Sequence, residues 1–495
     1  MSQSQQPSVT TETRSRYQDI GLVLGPALFA TMMLFANEQE VMEPIAWKTA
    51  AVGMWMAAWW ATEALPVAVT AFLPLVIFAP LGIAPLKEAA SHYANPIIYL
   101  YLGGFLMALA VERWNLHRRI ALTILSFTGT DGKRLIGGFM LSCALLSMWM
   151  TNTSTTMMLL PIALSVVTVI ADNLPDLSAR DRKNFQAAML LGLAYSATIG
   201  GLATLVGTPP NALLAAFLSE NYGYEISFAR WMVVGVPVSI LMLPVTWFLL
   251  TNFLFPVNIP ASENTREHLK KLRKDMGPMS VAEKRVALLF ALVILAWLLR
   301  RPLVSFWGLD SLSDPGIVMT AAMVLFLLPS GDKRQPQLMT WHEANRLPWS
   351  VLLLFGGGLS LAAAVAGSGL AQWLGQSLAP LGTFGTPVLV LASCALVIFL
   401  TELTSNLATT ATLLPVMGAI AVEAGIDPLI LCVPITLAAS CAFMLPVATP
   451  PNAIVFASGF LKISQMARAG SWINLIGTVV LVIVSLFLVP LVLGE

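Results

Sequence analysis

Two polar stretches interrupt an otherwise apolar chain of 495 residues: Met150-Thr151-Asn152-Thr153-Ser154-Thr155-Thr156 and Thr404-Ser405-Asn406-Leu407-Ala408-Thr409-Thr410. Both lead into nearly the same tail, Leu159-Leu160-Pro161-Ile162 after the first and Leu413-Leu414-Pro415-Val416 after the second. A further duplicated pair follows, Gly207-Thr208-Pro209-Pro210-Asn211 and Ala448-Thr449-Pro450-Pro451-Asn452. Asn152 and Asn406 are 254 positions apart, and Asn211 and Asn452 are 241 apart. Two pairs recurring in the same order point to a duplicated half-molecule. The residue types suit one kind of chemistry. Asparagine both donates and accepts, and a Ser or Thr hydroxyl turns to suit its partner. Ser147, Thr151, Asn152, Thr153, Ser154, Thr208, Ser405, Asn406 and Thr449 form a set able to hold a carboxylate and, beside it, a sodium ion in oxygen ligands. In membrane helices such residues serve more commonly as interhelical hydrogen bonds. The duplication and the matching Pro-Pro pairs favour a transport site.

What must position these residues follows from composition. The chain is 57% hydrophobic and 11% charged, with a mean hydropathy of +0.78, whereas soluble domains carry about 25% charged residues. The sequence predicts an all-α polytopic membrane protein, its apolar runs of ~20 residues spanning the hydrocarbon core. A net charge of +1 argues against nucleic acid as a partner. Cys143, Cys394, Cys432 and Cys441 lie in apolar segments without metal spacing, and His92, His117, His268 and His342 are scattered. A membrane-embedded enzyme is disfavoured, since no nucleophile–base pair or metal cluster is visible.

The charges order the segments. Residues 1–18 read as a disordered cytoplasmic N-terminus without a signal peptide's apolar core, and a first transmembrane helix lies within 19–44. A first repeat, 45–257, holds spans 2–6; the cations Arg113, Arg118 and Arg119 behind span 4 fall in the cytoplasm by both count and charge. Segment 133–183 carries Lys133 and Arg134 at one end and Arg180, Arg182 and Lys183 at the other. Both feet on one side with a polar tip between make a re-entrant hairpin, tolerated only where it is buried in protein or lines a cavity. Span 5, about 185–219, should break at Pro209-Pro210, because proline removes a backbone donor. A cytoplasmic linker, 258–285, leads to a second repeat, 286–495, with spans 7–11. Its first outside turn carries Asp310 and Asp314, and its hairpin, about 386–422, is flanked by Glu423 and Asp427 without a cation, so its feet belong outside. Its span 10, about 428–460, breaks at Thr449-Pro450-Pro451, and the C-terminus ends outside.

One repeat therefore starts outside and the other inside. The expectation is about eleven transmembrane helices, two re-entrant hairpins and two broken helices in inverted repeats. That architecture is associated with alternating-access carriers, here in a bacterial-type inner membrane. A channel is disfavoured, because inverted broken repeats close the path from one side at a time.

A broken helix exposes unpaired N–H groups at one half and unpaired carbonyls at the other. The N–H end suits an anion, the carbonyls a small cation. No Lys or Arg occurs between Leu135 and Ala179 or from Trp349 to Leu461. An anion bound there lacks a permanent side-chain cation, an omission worth several kcal/mol, and co-bound mobile cations are the natural compensation. Glu63 and Glu402 each follow a threonine in an uncharged stretch, suiting either a proton relay or structural hydrogen bonding. Trp55, Trp59 and Trp60 read as an interface belt or dimer packing.

These stretches closely resemble the divalent anion/sodium symporter family, carriers of di- and tricarboxylates and sulfate. The resemblance spans essentially the whole chain, through a Ser-Asn-Thr-like tip and a Thr-Pro-Pro-like break in each half. Carried over by position, it implies that Thr151, Asn152, Thr153, Ser405, Asn406 and Leu407 face the substrate, with Thr208, Thr449 and Pro450 nearby. It implies one sodium site at Ser147, Thr151, Asn152 and Gly200. A second falls at Thr401, Thr404, Asn406 and Ala448, with Gly200, Thr404 and Ala448 contributing mainly backbone carbonyls. Two departures stand out: Thr151 replaces a serine and keeps its hydroxyl, while Leu407 replaces a threonine and makes that wall more apolar. The resemblance further implies a homodimer and a transport unit moving against a scaffold. The expected function is sodium-coupled import of C4-dicarboxylates such as succinate, malate or fumarate. Sodium-independent dicarboxylate/tricarboxylate exchange and sodium-coupled citrate or sulfate transport are the alternatives.

Overall fold

The computed structural model describes residues 15–173, 177–308, 311–378 and 384–494; Asp310 and residues 1–14 of the polar N-terminus lie outside them. Of the described residues, 77% are helical. Among the described residues there is no strand, only an isolated bridge between Pro329 and Gln337. Eight helices among the described residues are long and apolar enough to cross a membrane: Arg16–Leu34, Leu86–Arg113, Asn152–Ala171, Phe228–Leu254, Val281–Phe306, Trp349–Gly367, Asn406–Glu423 and Ile463–Leu493. Shorter apolar helices include Val67–Leu81, Asp314–Leu327, Thr386–Thr401 and Pro428–Ser440.

Each polar tip is the turn of a helical hairpin. The first joins Gly132–Ser147 to Asn152–Asn173, the second Thr386–Thr401 to Asn406–Glu423. Each Thr-Pro-Pro stretch starts a new helix. Ala179–Gly201 gives way to Pro209–Tyr222, and Pro428–Ser440 to Pro450–Phe456. Proline in a first turn costs nothing, because the N–H it lacks would have had no partner there. Thr208 and Thr449, the residues just before, share an extended backbone with φ −143° in both.

Packing interlocks the halves. The arms of the first hairpin hold Ala179–Gly201, buried continuously from Ala187 onward, and those of the second hold Pro428–Ser440. Asn152–Asn173 also packs on Pro450–Phe456, and Pro209–Tyr222 on Asn406–Glu423. Each hairpin therefore touches the broken helix of the opposite repeat.

Several elements differ from expectation. Leu116–Leu125 and Leu370–Leu378 form amphipathic helices where connections were expected. The linker contains the helix Glu263–Asp275, which buries Thr265 and Leu269 and sets His268 Nε2 3.2 Å from Ser165 Oγ on the first hairpin. Asp314 is buried rather than solvated: its carboxylate lies 3.0 Å from Arg300 and accepts the Phe228 N–H at 2.8 Å. The tryptophans pack inward. Trp60 is fully buried and donates to the Val67 carbonyl at 3.1 Å. Trp55 and Trp59 close over Arg16–Leu34 at Gly25, where a Cβ would come within 2.7 Å of Trp55. A missing side chain on one helix makes room for an indole on the next.

Candidate substrate and cation site

At the first tip the Ser147 hydroxyl, fully buried, donates to Asn152 Oδ1 at 2.6 Å. At the second, the equally buried Thr401 hydroxyl lies 2.9 Å from Asn406 Oδ1 and 2.7 Å from the Ala439 carbonyl. Both pairs span five residues across the turn, so duplication extends to the side-chain geometry. Each hydroxyl fixes its amide, and the Nδ2 of Asn152 and Asn406 has no protein acceptor among the described residues. An amide held this way can donate to a carboxylate, while its oxygen keeps a second lone pair for a cation.

The breaks are knitted by two further asparagines. Asn211 Nδ2 donates to the Gly201, Leu202 and Thr204 carbonyls at 3.3, 3.3 and 2.8 Å. Asn452 Nδ2 does the same for Ala442 and Leu445 at 3.2 and 3.0 Å. Tip and break meet closely in the first half: a Cβ on Gly200 would lie 2.2 Å from the Ala144 carbonyl, and one on Gly201 2.6 Å from Asn152 Oδ1. The next helix of each repeat presses on the break through a glycine. A Cβ on Gly235 would meet the Leu202 carbonyl at 2.5 Å, and one on Gly470 the Phe443 carbonyl at 2.3 Å.

Between the two tips lies a cavity of about 1100 Å³. All nine residues implied to face or flank the substrate line it: Thr151, Asn152, Thr153, Thr208, Ser405, Asn406, Leu407, Thr449 and Pro450. Of the expected sodium ligands, Thr404 and Ala448 also reach the wall, whereas Ser147 and Thr401 sit behind the tips, bonded to the asparagines. Two hydroxyls are turned aside. Thr151 Oγ1 donates to Ser154 Oγ at 3.0 Å and accepts the Ser154 N–H at 3.1 Å, and Thr404 Oγ1 bonds the Leu400 carbonyl and Thr409 Oγ1 at 3.0 and 2.6 Å.

Three findings go beyond the sequence reading. Glu402 is neither free nor exposed. Its carboxylate accepts the N–H groups of Phe443, Met444 and Leu445 at 2.8–3.1 Å, and Asn474 Nδ2 at 2.8 Å. It caps the unwound segment before Thr449, which is the structural hydrogen-bonding role. Thr204, not singled out in the sequence, ties tip to break: its hydroxyl donates to the Met148 carbonyl and accepts the Gly207 N–H. Its signal was a lone threonine between the Gly200-Gly201 pair and Gly207. Finally, Arg346 stands on the cavity wall, just before the cation-free stretch. Its guanidinium is held by Glu112 at 2.8 Å and Glu343 at 3.3 Å, and these bonds raise its pKa above that of an ordinary arginine.

Duplicated helix breaks and polar hairpin tips around one cavity suit a solute carrier. Residues 20–493 match the family described as the sodium:sulfate symporter transmembrane region, and the chain belongs to that family. It is 40% identical over 485 residues to the sodium-dependent dicarboxylate transporter SdcS of Staphylococcus aureus strain USA300, covering 96% of this chain and 92% of the relative. The protein of the same name from strain MRSA252 matches with the same identity and coverage.

Proposed function

We propose that the protein imports C4-dicarboxylates together with sodium by alternating access. The single observation that carries this is the pair of anchored asparagines, Asn152 and Asn406, lining one cavity at the tips of the two hairpins. Each tip supplies an amide N–H for one carboxylate and, behind it, a hydroxyl–amide cage for one cation. The similarity to sodium-dependent dicarboxylate transporters supports the same cargo. Leu407 gives the second tip an apolar side that suits an unsubstituted four-carbon backbone better than a third carboxylate.

The two hairpins are taken as re-entrant, among about eleven crossings of an inner membrane, with the N-terminus cytoplasmic and the C-terminus outside. On that topology Glu63, Glu112 and Arg346 stand at cytoplasmic helix ends, so the cavity they line opens inward. Two copies form a homodimer, for which the sparsely buried apolar helix Val281–Phe306 offers surface.

The test is uptake of labelled succinate into proteoliposomes. An inward sodium gradient should drive it, and Asn152→Ala and Asn406→Ala should each abolish it. Full activity in either mutant removes the site assignment. Uptake that ignores sodium and requires internal dicarboxylate would make the protein an exchanger. Thermal shifts with succinate, citrate and sulfate, each in sodium and in choline, separate the substrate classes.

A further inference from the structure

The helix Pro44–Thr62 ends at Glu63, whose backbone is left-handed, with φ 47° and ψ 37°. Among the described residues only Asn115 shares a positive φ without being glycine. The Ala64 N–H reaches back to the Trp59 carbonyl at 3.2 Å, closing the helix in the manner that favours glycine or asparagine at this position. The turn is held from outside as well. Gln18 Nε2 donates to the Glu63 carbonyl at 3.3 Å, and Gly21 approaches so closely that a Cβ there would lie 1.9 Å from Thr62 Oγ1. A branched acidic residue thus stands at a fixed point in backbone that a glycine would occupy more easily.

Its side chain lies on the wall of the cavity described above. The charged residues of that wall are Glu63, Glu112 and Arg346. Glu112 is engaged by Arg346, whereas the Glu63 carboxylate has no hydrogen-bond or ion-pair partner among the described residues. The cavity therefore carries one uncompensated negative charge near its mouth. Such a charge raises the local concentration of small cations and lowers that of a dianion, on which it acts with twice the force.

We infer that Glu63 is an electrostatic selector for the site behind it: it lowers the apparent affinity for dicarboxylate and raises that for sodium. The identity of the two solutes rests on the proposed function. The strained backbone supplies the independent argument, since a residue kept only to end the helix would be better served by glycine, which carries no charge.

The full-length protein in detergent tests this. Thermal unfolding is followed during sodium titrations at fixed succinate and succinate titrations at fixed sodium, with choline chloride holding total salt constant. Glu63→Gln and Glu63→Gly should each need roughly three- to fivefold more sodium for half-maximal stabilisation, and correspondingly less succinate. Glu63→Asp should behave as the unmodified protein, and Glu63→Gly should melt above Glu63→Gln without ligand. In about 1 M choline chloride, where charges are screened within ~3 Å, the differences should vanish. If Glu63→Gln does not fold, Glu63→Asn, suited to the left-handed backbone, replaces it. Titrations at low salt that do not separate the Gln, Gly and unmodified proteins would leave Glu63 a helix cap and overturn the inference. An unmodified protein that ignores sodium and succinate would overturn the transport reading beneath it.

Discussion

In the proposed site, Asn152 and Asn406 are neutral side chains turned into directional ligands. Each is flanked by a buried hydroxyl five residues earlier, at 2.6 Å for Ser147 and 2.9 Å for Thr401. Without that hydroxyl the amide rotates freely and loses its orientation. Ser147→Ala and Thr401→Val are therefore expected to fold, and to weaken sodium-dependent binding by about 1 kcal/mol, close to fivefold. The check is the sodium concentration giving half-maximal thermal stabilisation by succinate. Thr401→Val should be the more damaging, because that hydroxyl also contacts the Ala439 carbonyl at the end of the helix leading into the second break. The position of Leu407 belongs to the same scale. Leu407→Thr restores a hydroxyl to the cavity wall and should improve binding of citrate relative to succinate, measured by the same thermal shift.

At the scale of elements, the breaks rather than the helices need explaining. An unwound segment inside a membrane protein must find partners for its backbone groups, each unpaired one costing about 1–3 kcal/mol. The second break finds them in Glu402, which gathers three consecutive N–H groups and the amide of Asn474. Glu402→Gln turns one acceptor oxygen into a donor facing donors. It should lower the unfolding temperature and abolish uptake, and calorimetry on the ligand-free protein separates the two effects. The first break has no acid; asparagine and threonine do the work there, together with close approach at Gly200. Gly200→Ala places a Cβ 2.2 Å from the Ala144 carbonyl. Backbone cannot swing aside as a flexible side chain does, so the first hairpin should be pushed from the break at a cost of about 1–3 kcal/mol, again read as a lower melting temperature. Much of this scale was legible beforehand. The Pro-Pro pairs gave the positions of both breaks, and the polar tips gave the hairpin turns. The amphipathic helices Leu116–Leu125 and Leu370–Leu378 escaped notice because, at ten and nine residues, they are too short to stand out as apolar spans.

For the whole molecule, charge balance is the testable quantity. On the proposed reading, with one sodium ion at each hydroxyl–amide pair, two sodium ions and one dianion move no net charge. Uptake should therefore be insensitive to an imposed membrane potential. Each additional sodium would gain about 2.3 kcal/mol per 100 mV of inside-negative potential. Succinate uptake into potassium-loaded proteoliposomes, with and without valinomycin, decides the point; marked acceleration would count a third ion.

The sequence by itself determined the helical class, through apolar runs too long and too poorly charged for a soluble fold, and the duplication, through two polar pairs in the same order. It also marked Asn152 and Asn406, because an asparagine within a cluster of serines and threonines is conspicuous in otherwise apolar surroundings. What only the tertiary structure decided is which groups are already satisfied. Spacing cannot reveal that Glu402 is saturated by backbone N–H groups, that Thr151 turns to Ser154, or that Arg346 is shared by two acids. Glu402 meets its partners 41 and more residues away, and Arg346 meets Glu112 from 234 residues away, while the turn of Thr151 to Ser154 is local but set by a side-chain rotamer that spacing does not fix.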